Sequence, residues 1–303
     1  METSKLSSGV AAGLGSYVLW GFLPAYFILL KPTSAWEIVA WRISLSFLFC
    51  LVLLVFMRQI RSTFALLRDR GVVWMTVLAG VLIYVNWQVF LLATLNGHIV
   101  ESALGYFINP IVTILIGVFA LGEKLRPMQW VAIGMATVAV VVLVVGYGSM
   151  PWYGLTLAAS FGSYGFVKKK LGGRVGAVAG LTFESMWLLP IAVIELYWVA
   201  TTSGLSMFSD GVWHGVALAM AGAVTAVPLI LFSRGAALIP LSWMGFMQYI
   251  TPSMQFAFGV FVMMEPMPTE RLVGFVLVWI GLIALMADNV VASRKNRHNR
   301  AAV

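Results

Sequence analysis

Cysteine, charge and histidine are scarce in this sequence of 303 residues, and each shortage removes a class of function. The single cysteine, Cys50, sits inside an apolar run, so there is no intrachain disulfide and no thiolate metal site. Of the histidines, His98 and His214 fall at external span ends and His298 in the tail, so they do not form a ligand set, and no HExxH, CxxC or GxSxG pattern is present. No metal and no cofactor is expected. A phosphate-cradling P-loop is also missing, which argues against an ATP-driven pump. Charged residues make up 10% of the chain, against roughly 25% in soluble domains. No large soluble domain fits that composition. The N-terminus carries one lysine and then a long apolar span containing Pro24, without a small-residue cleavage site, and reads as a retained first helix.

What the chain does have is apolar surface. The hydrophobic share is 61%, against roughly 45–50% in soluble domains. A membrane-crossing helix takes about 20 residues. Apolar runs bounded by Gly, Pro and charge fall at 8–30, 35–57, 72–95, 100–121, 128–147, 151–167, 178–200, 212–233, 239–263 and 270–290. The sixth is short and glycine-rich. An all-α polytopic membrane protein of ten helices is the expected fold class.

The net charge of +8 falls into a topological pattern. With both termini in the cytoplasm, 16 of the 19 basic residues lie on the inside. They include Arg58, Arg61, Arg68 and Arg70, Lys168, Lys169 and Lys170, and the tail after residue 291. Only Lys31 and Arg271 fall outside, and Arg42 falls within a span. The basic residues therefore orient the chain, and no nucleic-acid partner is expected. Membrane lipids are the expected surroundings, and anionic lipid is a further option at Lys168–Lys170.

The chain also repeats itself. Pro110, Gly117, Val118, Phe119 and Glu123 answer Pro252, Gly259, Val260, Phe261 and Glu265 at a constant offset of 142. Ser16, Gly21 and Phe22 answer Ser160, Gly165 and Phe166 at 144. This predicts a five-helix repeat over 1–147, a second over 148–291, and a basic cytoplasmic tail over 292–303. Because five is odd, the second repeat enters the membrane from the opposite face, which is the inverted-repeat logic of secondary transporters. Duplication kept only for folding or dimerisation is the plainer alternative.

Several stretches carry a family resemblance. They are Trp20–Tyr26 (WGFLPAY), Asn86–Trp87, Glu101–Pro110 (ESALGYFINP), Leu121–Lys124 (LGEK), Met128–Trp130 (MQW), Lys168–Lys170, Glu184–Pro190 (ESMWLLP) and Gln248–Pro252 (QYITP). In this order they resemble the RarD-type permeases of the EamA branch of the drug/metabolite transporter superfamily, over nearly the whole chain. The resemblance implies two inverted repeats in a bacterial inner (plasma) membrane, a central cavity between them, and a peripheral last helix in each half. It implies no substrate, because the chloramphenicol sensitivity attached to such proteins is a phenotype and not a transported molecule.

Polar groups inside apolar spans are costly and therefore informative. The charged candidates are Glu37, Arg42, Glu184 and Glu195, with Glu101 near a span end. At 100° per residue, Glu184 and Glu195 fall within about 20° of one face. Arg42 is expected near the depth of Glu195, and the two could pair across the repeat axis, as a structural bridge or as part of a coupling site. Asn86 and Gln88 are about 200° apart, so only one of them can face a cavity, and Asn86 is the better candidate. Pro110 and Pro252 interrupt matched helices and are candidate hinges or freed-carbonyl sites. Tyr106, Asn109, Gln248, Tyr249 and Thr251 lie beside them as cavity candidates. Glu184, deep in its span, is expected to titrate during transport, with Arg234 as the cation that would prevent this. Glu123 and Glu265 read as helix-end caps, and the tryptophans read mainly as interface belts.

The leading functional expectation is a secondary transporter of a small organic metabolite working by alternating access, and not an enzyme. An intramembrane enzyme acting on lipid would need clustered catalytic residues at a membrane face, and none is seen. A non-transporting membrane sensor remains an alternative, and a second copy of the chain remains open as a partner.

Overall fold

The computed structural model describes residues 2–95, 99–147, 150, 152–262, 276, 279 and 280. The described residues are helical, without strands. The helices are α1 (Glu2–Gly21), α2 (Leu23–Leu29), α3 (Ala35–Phe56), α4 (Ile60–Ala65), α5 (Arg70–Leu95), α6 (Ile99–Leu121) and α7 (Pro127–Tyr147). They continue with α8 (Trp152–Leu171), α9 (Ala177–Thr202), α10 (Ser206–Ser209), α11 (Val212–Ala219), α12 (Ala221–Leu238), α13 (Leu241–Gln248) and α14 (Ile250–Phe261). The run expected at 270–290 lies outside the described residues except for isolated positions.

Among the described residues five helical segments are long and apolar enough to cross a membrane: Lys5–Phe27, Ala35–Phe56, Arg70–Phe90, Ala177–Thr202 and Val212–Leu238. Their outward faces agree with that reading. Phe56, Trp74, Val193, Ile194 and Tyr197 are each more than half exposed. Water would penalise such a band, whereas hydrocarbon would not.

Local chemistry sets the helix ends. Ser34 caps α3 by accepting the N–H of Glu37 at 3.2 Å, in an S-x-x-E arrangement. The first pass changes from α1 to α2 at Phe22, just before Pro24, which has no N–H to give. The segment between Met57 and Gly71, expected as a plain connection, holds the short α4 and a 3₁₀ turn at Leu66–Arg68. The sixth run proves longer than expected. As α8 it continues through Lys168, Lys169 and Lys170 to Leu171, with the lysines in a last turn where cations suit the helix dipole.

Two ends of the bundle are fixed by contacts. At one end Arg234 donates to Ser8 at 2.9 Å, and the carboxylate of Glu123 meets the start of α13. At the other end the hydroxyl of Thr33 lies 2.7 Å from both Ser206 Oγ and His214 Nε2. Arg58 and Arg61 after α3, Arg70 at the start of α5, Lys124 after α6 and Lys168 in the last turn of α8 share the first end.

The principal packings are α6 on α8, α3 on α9, α1 on α12, α5 on α8, α13 on α6, α12 on α3, α5 on α9 and α1 on α14. Helix α7 packs mainly on α6 and so sits at the periphery of the first half. The larger core cluster is built around Tyr17, Ile43, Ile83, Tyr164, Phe183, Phe232 and Met244, where these helices converge.

Candidate functional site

A cavity of about 440 Å³ lies where α1, α3, α5, α6, α8 and α12–α14 meet. That volume is within the roughly 300–1,000 Å³ usual for small-molecule sites. Its wall residues on α3 (Ala35 to Arg42), α5 (Ile83 to Phe90), α6 (Gly105 to Asn109) and α8 (Leu157, Phe161) come from the half of each helix nearer the Thr33–His214 end. The floor is aromatic. Tyr17 and Trp20 of α1 and Phe161 of α8 line the cavity and rest on Phe232 of α12, with Tyr164 of α8 stacked behind; ring centroids are 5.2 Å apart for Phe161–Phe232 and 5.5 Å for Trp20–Phe161. Phe27, Trp87, Phe90 and Tyr106 carry the aromatic lining upward.

The polar groups set into this wall are few. Asn86 faces the cavity from α5 and donates to the carbonyl of Leu157 and to Ser160 Oγ, both at 3.0 Å. Gln88 points elsewhere, as its helical phase requires. Asn109 of α6 and Gln248 at the end of α13 line the cavity, and Thr113 Oγ1 lies 3.5 Å from Gln248 Oε1. Thr251 also lines it and gives its hydroxyl to the carbonyl of Tyr17 at 2.8 Å. Two buried polar atoms of the lining, Tyr17 Oη and Asn109 Oδ1, have no hydrogen-bond partner. Tyr249 does not line the cavity. It is buried with Phe107, Ile111 and Phe246 in the second core cluster, which corrects its expected place.

The two prolines behave differently. Helix α6 runs through Pro110 without interruption, and Pro110 is not part of the cavity wall. The matching pass breaks at Tyr249 between α13 and α14, and Pro252 does line the cavity. Only the second site therefore has the break expected of a hinge. Gly245 of α13 approaches Ile114 and the Pro110 carbonyl so closely that an added Cβ would lie 2.5 Å and 3.0 Å from them.

Arg42 stands in the cavity wall, half-buried, with its guanidinium 4.6 Å from the centroid of Trp87 and 5.6 Å from that of Phe27. Its Nε donates to Thr225 Oγ1 at 2.9 Å. The expected Arg42–Glu195 pair is not formed. Glu195 instead accepts from Tyr84 Oη at 3.1 Å and from Gln88 Nε2, both neutral donors on α5.

Glu184 is also placed differently from expectation. Lys168, not Arg234, is its cation, with Nζ at 2.5 Å from Oε1, and Tyr164 donates to Oε2 at 3.0 Å. Burial away from cations, the premise for a titrating Glu184, does not hold. The charge run at 168–170 concealed this contact, because a lysine cluster at a span end normally serves as an anchor. Glu37 is buried but structural, accepting from the N–H groups of Ser206 and Met207 and from Trp41. Glu101 and Glu265 lie outside the described side chains.

Glu123 caps as expected, though across the structure. Its two oxygens accept the N–H groups of Leu241 and Ser242 at 2.6 Å and 2.8 Å, at the N-terminus of α13. Gly117 leaves the room for this carboxylate, since an added Cβ would lie 2.8 Å from Oε2. Beside it Lys169 donates to the carbonyl of Ile239.

The tryptophans divide. Trp74, Trp152 and Trp213 are exposed, as belt residues should be, while Trp20 and Trp87 form cavity wall. No sequence signal separated the two groups. Among the described residues no cluster of metal-ligating side chains occurs.

Residues 7–145 match the EamA-like transporter family. The chain is 42% identical to Protein RarD of Streptomyces exfoliatus, over 96% of this chain and 91% of that protein. It is 38% identical to Protein RarD of Escherichia coli, over 97% of this chain and 99% of that protein. A solved crystal structure shares the fold at 17% identity, with a TM-score of 0.69 over 94% of this chain and 99% of that one.

Proposed function

The chain belongs to the EamA-like transporter family, and from that premise we propose that it is a secondary transporter moving a small organic metabolite by alternating access across a bacterial inner membrane. The carrying observation is the cavity of about 440 Å³, apolar and aromatic with a few polar groups, at the meeting of helices from both halves of the chain. Sites of this kind at a repeat interface are where secondary transporters hold substrate.

In this reading ten helices form two inverted five-helix repeats, 1–147 and 148–291, with both termini in the cytoplasm. The packing supports the symmetry. If each helix is exchanged for its repeat mate, α1 on α12 becomes α8 on α5, α3 on α12 becomes α9 on α5, and α6 on α8 becomes α14 on α1. The packings of α3 on α9 and of α6 on α13 map onto themselves. The cavity then faces the periplasm. At the cytoplasmic end the Glu123 cap on α13 closes the seam between the halves, and the Lys169 bond to Ile239 ties α8 to the residues just before α13.

Topology is tested by labelling on a Cys50→Ser background. Ala65→Cys should react only from the cytoplasm and Asp210→Cys only from outside, and reaction of both from one side overturns the arrangement. For function, metabolites would be compared in cells with and without the gene, and each hit assayed as uptake into sealed vesicles. Asn109→Ala and Gln248→Ala should each lower that flux at least tenfold at unchanged folded yield. Normal flux in both would remove α6 and α13 from the transport path. Hydrolysis or modification of lipid without net flux would favour the enzyme reading instead.

A further inference from the structure

We propose that the substrates of this cavity are small organic anions, in which an oxyanion group such as a carboxylate is held by Arg42 and an apolar body of about aromatic-ring size lies along the aromatic wall; this rests on the transporter reading above. Charge balance carries the argument. A cation within a membrane span costs about 2.5–3.5 kcal/mol on insertion scales, so it needs a partner or a task. Arg42 has no carboxylate partner among the described residues. Its Nε is committed to Thr225, and its ring contacts with Trp87 and Phe27 hold the guanidinium plane in the cavity wall. Such cation–π contacts are worth about 0.5–2 kcal/mol, which offsets only part of the cost.

The described carboxylates that could neutralise it are occupied elsewhere. Glu184 is paired with Lys168, and Glu37 with Ser206, Met207 and Trp41; Glu195 is turned to Tyr84 and Gln88 through Oε1, its Oε2 is buried without a partner, and it makes no ion pair with Arg42. No acidic side chain lines the described cavity. The wall therefore presents one positive charge and no negative one, a field that favours an anion and disfavours a cation. Arginine also suits the task by geometry, since its planar fork takes two oxygens of a carboxylate or a similar oxyanion.

The two unpartnered buried atoms of the lining refine the ligand. Tyr17 Oη can donate one hydrogen bond, and Asn109 Oδ1 can accept one. A ligand satisfying both would carry a second polar group, such as an amide or hydroxyl, away from its anionic end. A compact apolar body fits the Trp20–Phe161 floor better than a long chain would, because the rings close the cavity beneath it.

The test is binding to purified protein in mild detergent, read by tryptophan fluorescence, because Trp20 and Trp87 lie in the wall. A probe set shares one phenylalkyl body and varies the head group from anionic to neutral to cationic: 4-phenylbutyrate, its primary amide and 4-phenylbutylamine. Phenylalanine supplies a zwitterion of similar body. The butyrate should bind saturably and at least tenfold more tightly than the amide, with the amine weaker still. Arg42→Gln should erase the preference of anion over amide, Arg42→Lys should retain part of it, and Arg61→Gln, at the far end, should leave it unchanged. Unfolding of each variant is followed alongside, so that loss of fold is recognised. Equal binding of anion and amide, preference for the amine, an anion preference that survives Arg42→Gln, or no saturable binding of the butyrate overturns the proposal. Anion binding without net flux in vesicles would instead sink the transporter reading and leave this one standing.

Discussion

Lys168→Met should destabilise the folded protein by about 3–5 kcal/mol, the range for removing one partner of a buried ion pair. Lys168 and Glu184 are 3% and 1% exposed, and their charged atoms are 2.5 Å apart. Without the ammonium, the hydroxyl of Tyr164 is the donor left to Glu184 among the described residues. The pair joins the last turns of α8 to the start of α9, so its loss also loosens the base of the aromatic floor, where Tyr164 stacks on Phe232. The double variant Lys168→Met with Glu184→Leu should recover most of the loss, because apolar residues of similar volume commonly replace a buried pair at little cost. The check is unfolding in detergent for both single variants and the double variant, which gives the coupling energy directly. Single variants as stable as the parent would mean that the pair is solvated or dispensable.

The course of the chain was legible because membrane spans are long, apolar and punctuated. Helices α3, α5, α7 and α9 begin and end close to the expected positions. Expectation failed where a boundary depends on a distant contact. Three lysines in a row signal the end of a span by composition, yet Lys168 continues α8 because Glu184, sixteen residues later, neutralises it. The same reliance on distant partners defeated the Arg42–Glu195 pairing. Helical phase and depth permitted it, but Gln88 and Tyr84 lie nearer to Glu195, and only the packing of α5 on α9 reveals that.

The cavity was half legible. Asn86, Asn109, Gln248 and Thr251 stood out because polar side chains inside apolar helices need a reason to be there. The aromatic walls did not stand out. A tryptophan or phenylalanine satisfies a lipid-facing position as well as a cavity position, so Trp20, Trp87 and Phe161 resemble belt residues until the helices are assembled. Matched prolines suggested matched breaks, but the local chain differs. Helix α6 accommodates Pro110 without a break, whereas the backbone gives way at Tyr249, three residues before Pro252.

Glycine-to-alanine changes at two helical sites should have opposite signs, which tests the seam that holds Arg42. At Gly222 of α12 an added Cβ would lie 2.5 Å from the carbonyl carbon and oxygen of Leu45 in α3. Backbone cannot rotate away as a side-chain tip can, so the two helices must separate. Overpacking of this kind costs about 1–3 kcal/mol. Separation would also stretch the Ser46 hydroxyl bond to the Gly222 carbonyl, now 3.2 Å. Thr225, three residues on and on the same face of α12, would move away from Arg42 Nε, now 2.9 Å distant. Gly222→Ala should therefore lower stability by about 1–3 kcal/mol and weaken 4-phenylbutyrate binding, and Gly222→Leu should yield little folded protein. At Gly134 of α7 nothing lies within 4 Å of an added Cβ. There the same change only removes the helix penalty of glycine, so Gly134→Ala should stabilise by about 0.5–1 kcal/mol and leave binding unchanged. Unfolding and binding measured on the two variants decide the matter: equal effects at both sites would mean that α3 and α12 are not in backbone contact at Gly222, and that Arg42 is not positioned by this seam.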